Sequence, residues 1–293
     1  MKGEIMPTPG ARLRAMLAAG PVRAPLALDP MMARLAVAAG FPALYFGGGA
    51  LGYQKGFTEA NLTLTEMCAA ALDIRAVIDA PLILDGAAGW GDPMHLRRTI
   101  ALAEAAGFAA IEIEDQILPK RAHHHIGIEH LIPTALMVEK IREAVAARRD
   151  GDFLIIARTN AARQKDGFAD ALDRAAAFRA AGADMLFVLP GAAAGETEEI
   201  GRRLGDRAQG GLMHMAGGNR PGVPDIAALA ALGYRLFVDA QTPLMAMHHA
   251  LADCYARLRD GHPDPALAGE QARVHTTIDL DTLLAIERRT VER

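Results

Sequence analysis

The chain has 293 residues, 51% hydrophobic and 23% charged, with 29 Gly and 16 Pro; it is long enough to bury a large core as one α/β domain or two smaller ones, and extensive disorder is excluded. Thirty-one Lys and Arg stand against 35 Asp and Glu, a net charge of −4, so it lacks the positive excess with which a nucleic-acid binder displaces counterions. No apolar run reaches the roughly 18 residues of a membrane span, residues 1–20 hold no apolar signal segment, and Cys68 and Cys254 lack C-x-x-C spacing. These features predict a soluble protein of the reducing cytoplasm, with neither nucleic acid nor membrane as partner.

In chain order, one pattern recurs: a helical stretch ends in glycine and a short apolar run follows, as in AAGFPALYFGGG (38–49), AAGFAAIEIED (105–115), AAGADMLFVLP (180–190) and ALGYRLFVDA (231–240). Gly40, Gly107, Gly182 and Gly233 are natural helix-closing residues, since glycine enters the left-handed region without a Cβ penalty. Further buried-type strands are PLALD (25–29), PLILD (81–85), FLIIAR (153–158) and GLMHM (211–215). The eight candidate strands centre near residues 26, 44, 83, 112, 155, 187, 213 and 236. Eight alternating β and α units predict a (β/α)8 TIM-type barrel over residues 12–258. A doubly wound open sheet is the rival, weakened because no phosphate-cradling glycine fingerprint follows the first strand. Residues 1–258 are read as the barrel and 259–293 as a helical extension, with helices at 265–274 and 280–288.

A barrel of this kind carries its chemistry at the C-terminal ends of its strands. The polar residues ending the apolar runs are Asp29, Gly47-Gly48-Gly49, Asp85, Glu114 with Asp115, Arg158 with Asn160, His214 and Asp239. Asp85 and Glu114 are two successive carboxylates suited to a hard divalent cation, Mg2+ or Mn2+. Arg158 offers a planar fork for a substrate carboxylate, or a partner for Glu114 across the mouth. The three glycines bare N–H groups for a developing oxyanion, or form a plain turn. Asp29, before Pro30, fits a helix cap better than a catalytic group. The segment PKRAHHHIGIEHL (119–131) reads as a mobile lid whose Lys120 and Arg121 bring positive charge over an anionic substrate. Consecutive His123, His124 and His125 point different ways, which favours a solvated cluster over a metal tract.

With these residues in place, LYFGGG (44–49), ILDGAAGWG (83–91), IEIEDQILPKRAHH (111–124) and VEKIREAVAARRDGDFLIIARTNA (138–161) together resemble the isocitrate lyase/phosphoenolpyruvate mutase superfamily, in order and across nearly the whole chain. The resemblance implies a (β/α)8 barrel whose C-terminal helix is exchanged between subunits, usually in a tetramer built as a dimer of dimers. It also implies binding of Mg2+ and a small 2-oxo or 2-hydroxy carboxylate, and making or breaking of a C–C or C–P bond beside a pyruvate-enolate-like unit. By position, Asp85 matches the principal Mg2+ ligand and Glu114 a carboxylate that holds the metal through water. Arg158 matches the arginine on the substrate carboxylate, and Gly48 with Gly49 the backbone holding the other end. Tyr45, Gly47 and Asn160 complete the expected substrate-binding set, and Lys120, His124 and His214 join Arg158 as expected catalytic groups.

The departures matter as much. The family's D-x-D-x-G-x-G stands as Asp85-Gly86-Ala87-Ala88-Gly89-Trp90-Gly91, so its second Asp is Ala87. In the K-[KR]-C-G-H lid motif, Ala122 replaces the acid Cys and His123 the Gly. An Asp before the third helix becomes Thr58, the sixth-strand Glu becomes Leu189, and the seventh-strand Asn becomes His214. Without the lid Cys, activities of the isocitrate and methylisocitrate type are disfavoured, and loss of two carboxylates makes the site less negative. The expectation is a Mg2+-assisted lyase or decarboxylase of an oxaloacetate-type dicarboxylate, with oxaloacetate decarboxylases among the Cys-lacking relatives. The alternatives are a C–C lyase on a substituted malate, with His214 or His124 as proton donor, C–P chemistry, and a non-catalytic carboxylate-binding barrel.

Overall fold

The computed structural model of the chain describes residues 6–217, 225–262 and 264–291. Eight parallel strands, β1 (Val22–Pro25), β2 (Leu44–Phe46), β3 (Leu82–Asp85), β4 (Ala110–Glu114), β5 (Leu154–Thr159), β6 (Met185–Val188), β7 (Leu212–Ala216) and β8 (Tyr234–Asp239), pair in the order β1-β8-β7-β6-β5-β4-β3-β2. The two ends meet at one parallel bridge, Leu26 with Tyr45, where the Ala27 N–H donates to the Tyr45 carbonyl at 2.9 Å. The architecture is therefore the (β/α)8 barrel, nearly closed, and not an open sheet.

Helices α1 (Pro9–Ala19), α2 (Pro30–Ala38), α3 (Gly48–Gln54), α4 (Leu64–Arg75), α5 (Pro93–Ala105), α6 (Thr134–Ala147), α7 (Phe168–Ala180), α8 (Glu196–Leu204), α9 (Ile226–Ala231) and α10 (Thr242–Arg259) flank the strands. After α10 come α11 (Glu270–Thr277) and α12 (Leu280–Thr290). Strands β2 to β6 are buried at every residue, because helices cover the outside and side chains fill the inside; hence they read as continuous apolar runs. β4 is the exception that points to function. Its Ala-Ile-Glu-Ile-Glu alternation puts Glu112 and Glu114 on one face and Ile111 and Ile113 on the other.

The four joint glycines, Gly40, Gly107, Gly182 and Gly233, have φ of 89°, 80°, 104° and 95°. At Gly233 the restriction is doubled, because a Cβ there would lie 1.8 Å from the Gly205 carbonyl oxygen. Helix α4 opens on a capping box in which Thr63 N–H donates to Glu66 Oε2 at 2.9 Å and Glu66 N–H to Thr63 Oγ1 at 3.3 Å.

Three boundaries differ from the sequence reading. The first strand is Val22–Pro25, not 25–29, because its ladder runs against β8, Val22 to Leu236 through Pro25 to Asp239; Asp29 instead caps α2, accepting from Met32 N–H at 2.8 Å. The helix expected at 265–274 is Glu270–Thr277, since Pro265–Leu267 forms only a 3-10 turn and Gly269 (φ 78°) separates the two. An additional helix, α1, precedes the first strand and packs so closely that a Cβ on Gly10 would sit 2.5 Å from the Asp152 carbonyl oxygen.

Candidate functional site

Strand register builds the site. Asp85 at the end of β3 lies beside Glu112 of β4, and Glu114 beside Arg158 of β5, so a cation and three carboxylates meet at one end of three neighbouring strands. Asp85 is anchored from both sides: Oδ2 accepts the Gly48 N–H at 3.1 Å and Oδ1 the Ala87 N–H at 3.0 Å. The next residue must be glycine, for a Cβ on Gly86 would lie 2.5 Å from the Glu112 carbonyl oxygen. Arg158 Nη1 donates to Glu112 Oε1 at 2.7 Å and Nε to Asn160 Oδ1 at 2.9 Å, with Glu114 Oε2 3.4 Å away and the Phe187 ring centroid 5.0 Å from the guanidinium carbon. Asn160 also donates to Glu114 Oε2 at 3.0 Å. Two nitrogens of the fork are thus fixed before any ligand arrives.

Sequence reasoning missed two carboxylates. Glu59, one residue beyond Thr58, is 8% exposed and pairs with Lys120, which also pairs with Glu114. Its Oε2 would lie 3.3 Å from a Cβ on Gly49, tighter than ordinary contact, so the glycine there lets α3 close on the acid. Glu112 sits beneath Arg158, with Tyr45 Oη donating to its Oε2 at 3.1 Å. Its signal was present in the β4 alternation.

The electrostatics follow from burial. Burial, then the charge of Glu59, raises Asp85 above the ordinary carboxylate range. Glu112 is pushed up to about 7 by burial against the pull of Arg158. Burial also acts on Glu114, but Lys120, Arg158 and His124 outweigh it and hold that carboxyl down to about 2. Burial raises the Tyr45 phenol, and Asp85 and Glu112 add to the effect.

Asp85 and Arg158 border a cavity of about 290 Å³ whose lining also includes Gly47, Gly49, Glu59, His124, Arg163, Leu189, Met215, Ala240 and Gln241. The 119–131 segment is tied at its base by the Gln116–Leu131 bridge and holds a 3-10 turn, Ala122–Ile126. Its three histidines diverge. His123 meets His130 at 3.0 Å, His125 Nδ1 meets Tyr53 Oη at 2.7 Å, and His124 Nδ1 lies 2.9 Å from Glu129 Oε2 with Nε2 4.0 Å from Glu59.

The expected residues Tyr45, Gly47, Gly48, Gly49, Asp85, Glu114, Lys120, His124, Arg158 and Asn160 are brought together by these contacts. His214 is not among the residues lining this cavity: its ring packs at 5.8 Å from Tyr234 and 6.1 Å from Phe237, and the neighbouring Met215 faces the cavity instead. Asp115 and Asp239 stand outside as well. Asp115 accepts from Thr159 Oγ1 at 2.7 Å and pairs with Arg174, while Asp239 receives the N–H of Thr242 at 2.9 Å at the start of α10.

Among the described residues no three or more His, Cys, Asp or Glu side chains form a ready metal-ligand set. Yet four carboxylates, Glu59, Asp85, Glu112 and Glu114, gather around Lys120 and Arg158. This gathering of acids fits a divalent cation held by one or two carboxylates and water, as Mg2+ commonly is.

Residues 13–259 match the family model described as phosphoenolpyruvate phosphomutase. The 2,3-dimethylmalate lyase of Eubacterium barkeri is 34% identical over 275 residues, covering 92% of this chain and 92% of its own. An oxaloacetate decarboxylase of Chromohalobacter salexigens is 35% identical over 253 residues, 86% of this chain and 85% of its own. The solved structure of a phosphonopyruvate hydrolase complexed with oxalate and Mg++ superposes with a TM-score of 0.80 at 26% identity, covering 97% of this chain and 100% of that one.

Proposed function

Because the chain belongs to the phosphoenolpyruvate mutase/isocitrate lyase superfamily, we propose that it is a Mg2+-dependent carbon–carbon lyase acting on a small 2-oxo or 2-hydroxy dicarboxylate through a pyruvate-enolate-like intermediate. Decarboxylation of an oxaloacetate-type acid is the first reading; cleavage of a substituted malate is the second, favoured by the full-length likeness to 2,3-dimethylmalate lyase. The observation that carries the proposal is the convergence of Asp85, Glu114 and Arg158 on one buried mouth, joined by register. The oxalate and Mg++ of the phosphonopyruvate hydrolase complex support the choice of metal and ligand class.

In this mechanism Asp85 and Glu59 would hold Mg2+, with Glu114 behind them, and the ion would supply polarisation of the substrate carbonyl. Arg158 orients the substrate carboxylate, its own position set by Glu112 and Asn160. The Gly47–Gly49 backbone lies against the developing enolate oxygen. His124 moves the proton: Glu129 beside Nδ1 orients the ring and leaves Nε2 on the Glu59 side of the cavity, the role that the lid Cys fills elsewhere in the family. Lys120, between Glu59 and Glu114, helps hold Glu114 ionised and tethers the lid.

A Mg2+-supplemented screen of 2-oxo and 2-hydroxy di- and tricarboxylates for pyruvate or CO2 release tests the proposal. Turnover abolished by chelation is the expected result, and a folded protein that releases neither product from any of them overturns it.

We also assign residues 259–293 to docking on a second copy, in a homotetramer built as a dimer of dimers. Helices α11 and α12 bury no residue in the single chain, and Leu283, Leu284 and Ile286 are 51%, 39% and 40% exposed. Light scattering that finds a monomer at micromolar concentration refutes this assignment. Among the described residues no helix is long and apolar enough to cross a membrane, and the two free cysteines fit the proposed reducing cytoplasm.

A further inference from the structure

The turn that follows Asp85 holds two non-glycine residues in the left-handed region, Ala87 (φ 44°) and Trp90 (φ 54°). Asp, Asn or Gly is at ease in that region and an alanine is not. Ala87 is nonetheless in use from both sides. Its N–H donates to Asp85 Oδ1 at 3.0 Å, and its carbonyl accepts the Glu114 N–H at 2.9 Å. One strained alanine therefore aims one acid of the site and is tied to the strand that carries another.

The turn is held by bonds from its surroundings. Thr99 Oγ1, on α5, donates to the Gly89 carbonyl at 3.0 Å. Trp90 Nε1 donates to the Leu62 carbonyl at 3.0 Å, and the Leu62 N–H donates to the Glu59 carbonyl at 3.0 Å, so the same turn steadies the loop that brings Glu59. The two acids sit close together, since a Cβ on Gly48 would lie 3.6 Å from both Asp85 Oδ2 and Glu59 Oε2.

The remaining bond is the unusual one. Lys140 stands on α6, away from the rim loops, is 2% exposed, and donates its ammonium to the Ala88 carbonyl at 2.5 Å. Burying an ammonium is costly, and packing alone would be met by an apolar side chain. What the lysine adds is a charge-assisted hold on one carbonyl, that of the residue after the strained alanine.

Building on the proposed Mg2+-dependent reading, we infer that Lys140 is a positioning residue of the metal site: by pinning the Ala88 carbonyl it keeps Ala87 left-handed, and so keeps Asp85 aimed at the cation beside Glu59. Without the pin, Ala87 relaxes toward negative φ and its N–H leaves Asp85.

The experiment titrates the full-length protein with Mg2+ alone, by calorimetry, for wild type, Lys140→Met, Ala87→Gly and the double variant, with thermal melts in chelator confirming the fold of each. Lys140→Met should bind Mg2+ about tenfold more weakly, the scale on which a group behind a metal ligand acts. In the Ala87→Gly background the same substitution should weaken binding by about threefold or less, because glycine holds a positive φ without a pin. A lysine that serves packing alone gives the same loss in both backgrounds. Mg2+ binding at wild-type strength by folded Lys140→Met, or an equal loss in both backgrounds, overturns the assignment and leaves the lyase standing. Where Lys140→Met does not fold, Thr99→Val frees the Gly89 carbonyl of the same turn with a side chain of the same shape, and the same two comparisons decide whether the turn braces Asp85. A wild type that binds no Mg2+ overturns the metal reading itself.

Discussion

Replacing Asp85 by Asn separates activity from stability, and the structure sets both magnitudes. Asp85 receives two backbone N–H groups, from Gly48 at 3.1 Å and Ala87 at 3.0 Å. Asn keeps the shape and one acceptor oxygen, so one of these bonds is lost at about 1 kcal/mol. The same change removes a buried charge that desolvation and Glu59 already disfavour, an effect of opposite sign. The net change in folding free energy is then within about 1 kcal/mol, and the melting temperature within about 4 °C of wild type. Activity behaves differently. The amide holds a divalent cation poorly, and losing the polarisation of the reacting carbonyl costs about 3–4 kcal/mol, a 10²–10³-fold loss in kcat. The assay pairs circular-dichroism melts with pyruvate release in Mg2+. Mg2+ should raise the melting temperature of wild type and not of Asp85→Asn. An Asn variant with wild-type kcat, or one that retains the Mg2+-dependent shift in melting temperature, refutes the metal assignment.

Arg158→Lys keeps the charge but loses the planar fork that Glu112 and Asn160 hold; kcat/KM should fall about tenfold or more, ~1.4 kcal/mol, and unchanged kinetics would remove Arg158 from the substrate site. Lys140 on α6 is 2% exposed, donates to the Ala88 carbonyl of the loop after Asp85, and is pushed down by burial from 10.5 to about 8. The unfolded chain therefore binds this proton more tightly than the folded one, so stability rises as pH climbs from about 8 to 10.5, by on the order of 3 kcal/mol. Denaturant titrations across that window should show the rise flattened in Lys140→Met, and an identical slope in both proteins defeats the argument. Cys68 lies in α4 with its thiol raised by burial and Cys254 lies in α10, neither lining the cavity. Alkylation with iodoacetamide should leave activity intact, and inactivation that substrate prevents would place a thiol at the site.

The features legible in the amino-acid order are local or follow from a fold rule. Each helix-closing glycine and the apolar run behind it are neighbours in the chain, so eight repeats were countable and the barrel followed. Asp85, Glu114 and Arg158 were legible because a residue that ends an apolar run ends a strand, and strand ends in such a barrel meet at one mouth. Parity along a strand was only half legible. The alternation of β4 marked Glu112 as sharing a face with Glu114, but on β7 a register irregularity between Leu212 and Met213 accompanies an arrangement in which Met215 faces the cavity and His214 packs on Tyr234 and Phe237. An irregularity of this kind depends on how neighbouring strands pair, which the β7 sequence does not encode alone. Glu59 was invisible for a related reason. It belongs to no strand and reaches the site because its loop packs against α3, where a Cβ on Gly52 would lie 2.6 Å from the Glu59 nitrogen. That contact, and the ion pair with a lysine 61 positions away, exist only once the barrel has closed and carried both loops to the same rim.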